Sequence, residues 1–126
     1  MMTVALQDAA GTVVGAGAVA PLGWGGGTVQ AGFLKGWVND LTNDCTQGLD
    51  LSRYPCMSKI SPYGVTTLRR EEMGAFVREL AEVMAWAATE YGERQQAVHQ
   101  PAYEGLVALA LACGQAEGMS LRIVGE

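Results

Sequence analysis

The chain has 126 residues, a size that suits one domain, residues 1–126, able to bury its own core. Its 49% hydrophobic content excludes a disordered chain, and 13 acidic against 8 basic residues, net −5, oppose binding to a phosphate backbone and favour a basic partner. No run approaches the ~20 apolar residues of a membrane span, and residues 9–23 lack the basic start of a signal peptide, so a cytoplasmic location is expected.

Residues 3–7 and 12–20 read as two strands, and Asp8-Ala9-Ala10-Gly11 between them reads as a hairpin turn. Pro21 to Gly27 is a glycine-rich loop. It lacks the lysine and hydroxyl residue of a P-loop and the helix that must follow a dinucleotide fingerprint. Thr28 to Val38 fits a third strand, or a strand passing into a short helix. Residues 39–67 show little periodicity and read as an irregular stretch.

The strongest pattern predicts a helix from Leu68 to Tyr91. Met73, Phe76, Val77, Leu80, Val83, Met84 and Ala87 recur at the spacing of one helical face. Thr66 or Thr67 would cap it, Glu71 and Glu72 suit its first turn, and Gly92 would end it. Glu93 to Gln100 reads as a polar linker. A second helix is expected from Pro101, buried over Leu106 to Cys113 and ended by Gly114. Met119, Leu121 and Ile123 alternate with polar or outward positions, which predicts a closing strand. These elements define an α+β fold: a small antiparallel sheet of three or four strands with two helices packed on one face.

Metal and cofactor signatures are absent. Cys45, Cys56, Cys113 and His99 match no paired-ligand spacing, so no zinc site is expected, and the three cysteines read as reduced thiols. Asp40, Asn43, Asp44 and Asp50 lack the alternation and closing glutamate of a calcium loop. His99 has no identifiable nucleophile or orienting partner, so it reads as an exposed or helix-capping residue. No cofactor and no catalytic residue are assigned.

The candidate surface is the predicted helix itself. Its wheel places Gly74, Ala81, Ala85 and Ala88 on a small-residue shoulder, and Trp86 on an acidic face with Glu79, Glu82 and Glu90. Trp86 is then an interface anchor, or is covered by the Asp40–Pro55 segment. Ser61-Pro62-Tyr63-Gly64 is a turn that presents Tyr63 at its tip, or packs it on the helix like a staple. The expected partner surface therefore comprises Trp86, Glu79, Glu82, Glu90, Tyr63, Asp40 and Asp44.

The stretch from Tyr54 to Thr67, with Met73 near the start of the following helix, resembles a group of small actinobacterial proteins. These carry an Asp-Pro-Tyr-Gly-Asp-Thr turn, a helix with a Gln-Met step, and a closing strand similar to Arg122-Ile123-Val124-Gly125-Glu126. The resemblance covers about a third of the chain and implies a shared fold unit without an activity. Ser61 and Val65 stand here where the group has its two aspartates.

Three functions fit these features. The first is an acidic protein-binding module of the immunity or antitoxin kind that neutralises a basic protein. The second is a small enzyme or ligand-binding domain with its site in the 40–67 region, using Asp40, Asp44, Cys56 and Tyr63. The third is a homo-oligomeric scaffold joined through the exposed helix face.

Overall fold

Period-two alternation in Met2–Gln7 (β1) puts Met2, Val4 and Leu6 on one side, all buried, and Thr3 and Gln7 on the other. The computed structural model describes residues 2–13, 28–42 and 53–125. Asp8 ends β1 by a turn built on its own side chain. Its Oδ1 accepts from the amides of Ala10 and Thr12, and Gly11 takes φ +84° where an L side chain would be strained. The turn expected at Asp8–Gly11 is therefore present, but only Thr12 and Val13 of the expected second strand fall among described residues, with Val13 in a single bridge to Gln7. Residues 14–20 of that strand, and the Pro21–Gly27 loop, lie outside the described residues.

Thr28–Gln30 (β2) pairs antiparallel with β1, and Gly32–Thr42 (α1) follows at once. Of the two readings of Thr28 to Val38, strand passing into helix is the one observed. Phe33, Leu34, Trp37 and Val38 are the buried face of α1. Pro55–Lys59 (α2) is a short helix with proline at its first position, and Val65–Arg69 (β3) follows it. A 3-10 turn at Arg70–Glu72 leads into Met73–Tyr91 (α3). Glu93–Gln115 (α4) and Ser120–Gly125 (β4) complete the order. The sheet runs β2-β1-β4-β3, every pair antiparallel. Its inner residues, Met2, Val4, Leu6, Val29, Leu68, Leu121 and Ile123, join the helices in one apolar core. The fold is α+β, with α4 touching β1, β2 and β4 and α3 packed on α4 and α2.

Three boundaries differ from the pattern in the sequence. The long helix begins at Met73, because residues 65–69 join the sheet instead. Thr66 and Leu68 point inward opposite Ile123 and Leu121, and period two wins wherever a central strand offers its ladder. Thr66 caps no helix: its hydroxyl accepts from the Ser61 amide at 2.9 Å. The supposed linker 93–100 is helical, and Pro101 sits inside α4. Beside these boundaries, Gly74, Ala81 and Ala85 of the small-residue shoulder are exposed. Gly92 ends α3 as expected, with φ +86° and its amide on the Ala88 carbonyl at 3.1 Å.

The end of β4 is clamped onto the Ser61–Gly64 turn. The Gly125 amide donates to the Gly64 carbonyl at 2.8 Å. A Cβ on Gly125 would lie 2.2 Å from the Pro62 carbonyl oxygen and 2.5 Å from its carbon, both rigid backbone. A Cβ on Gly64 would meet only the Ser61 hydroxyl, at 2.9 Å, which can rotate away. Gly125→Ala is expected to cost about 1–3 kcal/mol, as overpacking does, and Gly64→Ala distinctly less. Urea midpoints at unchanged m-value measure the difference.

Candidate functional site

The helical wheel assigns Glu79 to the polar face of α3, yet it is 0% exposed. Its carboxylate is the acceptor for the first free amides of α2. The Cys56 amide donates to Oε1 at 3.1 Å and to Oε2 at 3.2 Å, and the Met57 amide donates to Oε1 at 2.9 Å. Pro55 has no amide to satisfy, and α2 has no side-chain cap of its own. A carboxylate from another helix thus does what a local Asp or Ser would do, and it sits where the helix dipole favours negative charge. Glu79 is a structural staple and not a partner-binding residue, which corrects that expectation.

The neighbouring residues follow from this staple. Cys56 is buried, and its thiol is pushed up to about 12 by burial, then by hydrogen bonding to Glu79 and the charges of Glu79 and Glu72. Burial of this kind disfavours the thiolate that a nucleophilic role needs. Cys113 is likewise buried, its thiol pushed up to about 11 by desolvation. Cys56 and Cys113 are free cysteines, as expected; Cys45 lies outside the described residues. Tyr54 is buried beside α2, and burial raises its phenol above the ordinary value, with the charge of Glu82 adding to the shift.

Of the remaining members of the expected surface, Glu82 and Trp86 lie one turn apart on α3, and Tyr63 lies on the turn before β3. Trp86 is partly buried and packs on the core. Glu82 pairs with Arg53 at 3.8 Å, with side chains 37% and 68% exposed, an ion pair worth little in water. The side chains of Asp40 on α1 and Glu90 on α3 lie outside what is described, as does all of Asp44. Tyr63 is 72% exposed, with the Lys35 ammonium 4.4 Å from its ring centroid. It is displayed at the turn, not stapled to α3. His99 is half-buried, its ring 5.7 Å from that of Phe33 in a cluster with Trp37 and Tyr103, and caps no helix.

Among the described residues no group of three or more His, Cys, Asp or Glu side chains could hold a metal, and no helix is long and apolar enough to cross a membrane. The open face of the sheet carries an arrangement that sequence reasoning missed. Thr3, Ala5, Val13, Thr28, Arg122 and Val124 line a shallow depression of about 280 Å³. Its signal was the outward half of the strand alternation, legible only once the register sets Ala5 beside both Thr28 and Arg122.

Removing the staple is the informative perturbation. Glu79→Ala leaves two buried amides without an acceptor and is expected to cost ~2–4 kcal/mol, with Glu79→Gln, which keeps one oxygen, costing less. Denaturation reads the loss, and alkylation of Cys56 at pH 8 should accelerate in Glu79→Ala. Acid should act through Glu72. Its carboxyl is held below the ordinary value by the Lys59 hydrogen bond, against an opposing effect of burial and with help from the Arg69 amide. A lowered folded value adds stability above the unfolded carboxyl value of about 4.3, lost as pH falls through the folded one. Stability should therefore decline below about pH 4.5. Glu72→Gln should be less stable at pH 7 and show a flatter acid limb in a series of urea titrations.

Comparison with protein-family models, with curated proteins and with solved structures finds no match to this chain, so the geometry alone bears on its function.

Proposed function

We propose that this chain is a small acidic protein-binding module, of the immunity or antitoxin kind, that holds a basic partner protein. The observation that carries the reading is the corner formed by Tyr63 and Val65, large side chains 72% and 59% exposed on adjoining turn and strand. Tyrosine is among the residues that most often anchor interfaces. The corner opens onto the outer edge of β3. The Gly125 amide bonds Gly64, so in this register residues 64, 66 and 68 direct their backbone groups to β4. Those of Val65, Thr67 and Arg69 then point away from the sheet, where no strand pairs with them among the described residues. Such an edge accepts an added strand from a partner. The net charge of −5 and the exposed Glu71 just beyond β3 favour a partner of opposite sign. Tyr63 is the member of the expected surface that carries this reading; Trp86 and Glu79 are not used in it.

The edge can be blocked without touching the inner ladder. Thr67→Pro removes an amide that points outward, a position where a strand tolerates proline. In pull-down from a host lysate followed by titration with the isolated partner, Tyr63→Ala is expected to weaken binding tenfold or more, in the range of an interface anchor. Thr67→Pro should weaken it similarly, and added salt should weaken wild-type binding. A partner whose affinity is indifferent to both replacements and to salt would sink the proposal.

A further inference from the structure

The open face of the sheet carries polar and basic side chains in two cross-strand rows. The cross-strand register sets Thr28, Ala5, Arg122 and Thr67 in one row, and Gln30, Thr3, Val124 and Val65 in the next. Gln7, Ser120 and Arg69 complete the outward positions of β1, β4 and β3, with the Gln7 amide donating to the Ser120 hydroxyl at 2.9 Å. None of these outward strand residues is acidic, although the chain carries 13 acids and 8 bases. Arg69 is engaged with Glu72 at 3.8 Å. Arg122, on a central strand, is half-buried and has no ion pair or hydrogen bond from its side chain among the described residues.

An arginine held in this way is poised for an anion. Its guanidinium offers a planar fork of donors, and a partly desolvated charge without a counter-charge gains more from an incoming anion than one in open water. The depression beside it is lined by Ala5, Thr3, Thr28, Val13 and Val124, and the Thr3 hydroxyl donates to Gln30 Oε1 at 3.3 Å. Ala5 matters by being small, since a larger side chain at that position would fill the space. At about 280 Å³ the depression lies below the usual range of drug-sized pockets, so its occupant is short.

We propose that the depression binds a small branched aliphatic monocarboxylate. The planar carboxylate pairs with the Arg122 guanidinium through two parallel hydrogen bonds, and the Thr28 hydroxyl donates to one of its oxygens. The short alkyl group lies against Val13, Val124 and Ala5. This surface adjoins the Tyr63 corner, since Val65 pairs with Val124, but it uses other side chains, and the two readings are tested by different variants.

The test uses the full chain, labelled with nitrogen-15, titrated with isovalerate while its amide spectrum is followed. Saturable shifts are expected at Thr3, Ala5, Thr28 and Val124, with Cys56 and Met57 unmoved as a control for the fold. Isovaleramide, equal in shape but uncharged, should bind at least tenfold more weakly. Arg122→Gln should lose at least tenfold in affinity, and Arg122→Lys, which keeps the charge but loses the planar fork, should fall between. A variant that fails to give a dispersed spectrum is replaced in the test by the other one, or by Ala5→Leu, which should block binding by filling the floor. No saturable shifts with isovalerate, equal binding of the amide, or undiminished binding by the variants would overturn the proposal. Tighter binding of acetyl-Gly-Gly-Val than of isovalerate would overturn the assignment to a free small acid in favour of a peptide end.

Discussion

The organisation of the helical side of this protein depends on one buried carboxylate. Glu79 joins α3 to α2 by accepting the Cys56 and Met57 amides, which are the first amides of α2. A five-residue helix has too few internal hydrogen bonds to persist alone. Its amides need an acceptor, and a buried carboxylate needs donors. Each requirement is met by the other, so the pair is stable where either part would be costly. The link also sets the surroundings. Tyr54 and Cys56 are carried into the core, Arg53 is brought to Glu82, and Lys59 reaches Glu72. On the face of α3 that looks acidic on a wheel, Glu79 is thereby buried and Glu82 is paired with Arg53.

This explains how much could be read in advance. The apolar stripe from Met73 to Ala87 was legible because burial repeats with the helical period along α3. The Asp8–Gly11 turn and the closing strand were legible from local chemistry and simple alternation. The strand at Val65–Arg69 was not. Its residues satisfy a helical continuation equally well, and the deciding factor is the β4 ladder, which lies some fifty residues further along. Glu79 was not legible either. A wheel knows only polarity, and a glutamate whose ligands are backbone amides elsewhere in the chain looks like any solvated glutamate. His99 and Pro101 misled in the opposite direction: polar composition and a proline suggested a break, while helix packing against α1 carries α4 straight through.

The candidate sites show the same division. Tyr63 was recoverable because a Ser-Pro-Tyr-Gly turn exposes its third residue by local geometry. Arg122 was visible as an outward position of a strand, but its significance is two-dimensional. It depends on which residues of β1, β2 and β3 flank it, and a single strand's alternation contains nothing of that. Both surfaces arise from the sheet, whereas sequence reasoning looked for function on the helix with the clearest periodicity.

Gly92 joins the two longest helices as a one-residue connector, its φ of +86° reversing the chain between Tyr91 and Glu93. A connector this short costs little closure entropy, so the α3–α4 hairpin assembles from contacts near in sequence. The β1–β4 ladder is the opposite case, since it recruits segments separated by most of the chain. The fold therefore contains a fast local unit and a slow non-local one, and the rate at which the whole chain folds is governed by the sheet rather than by its long helices.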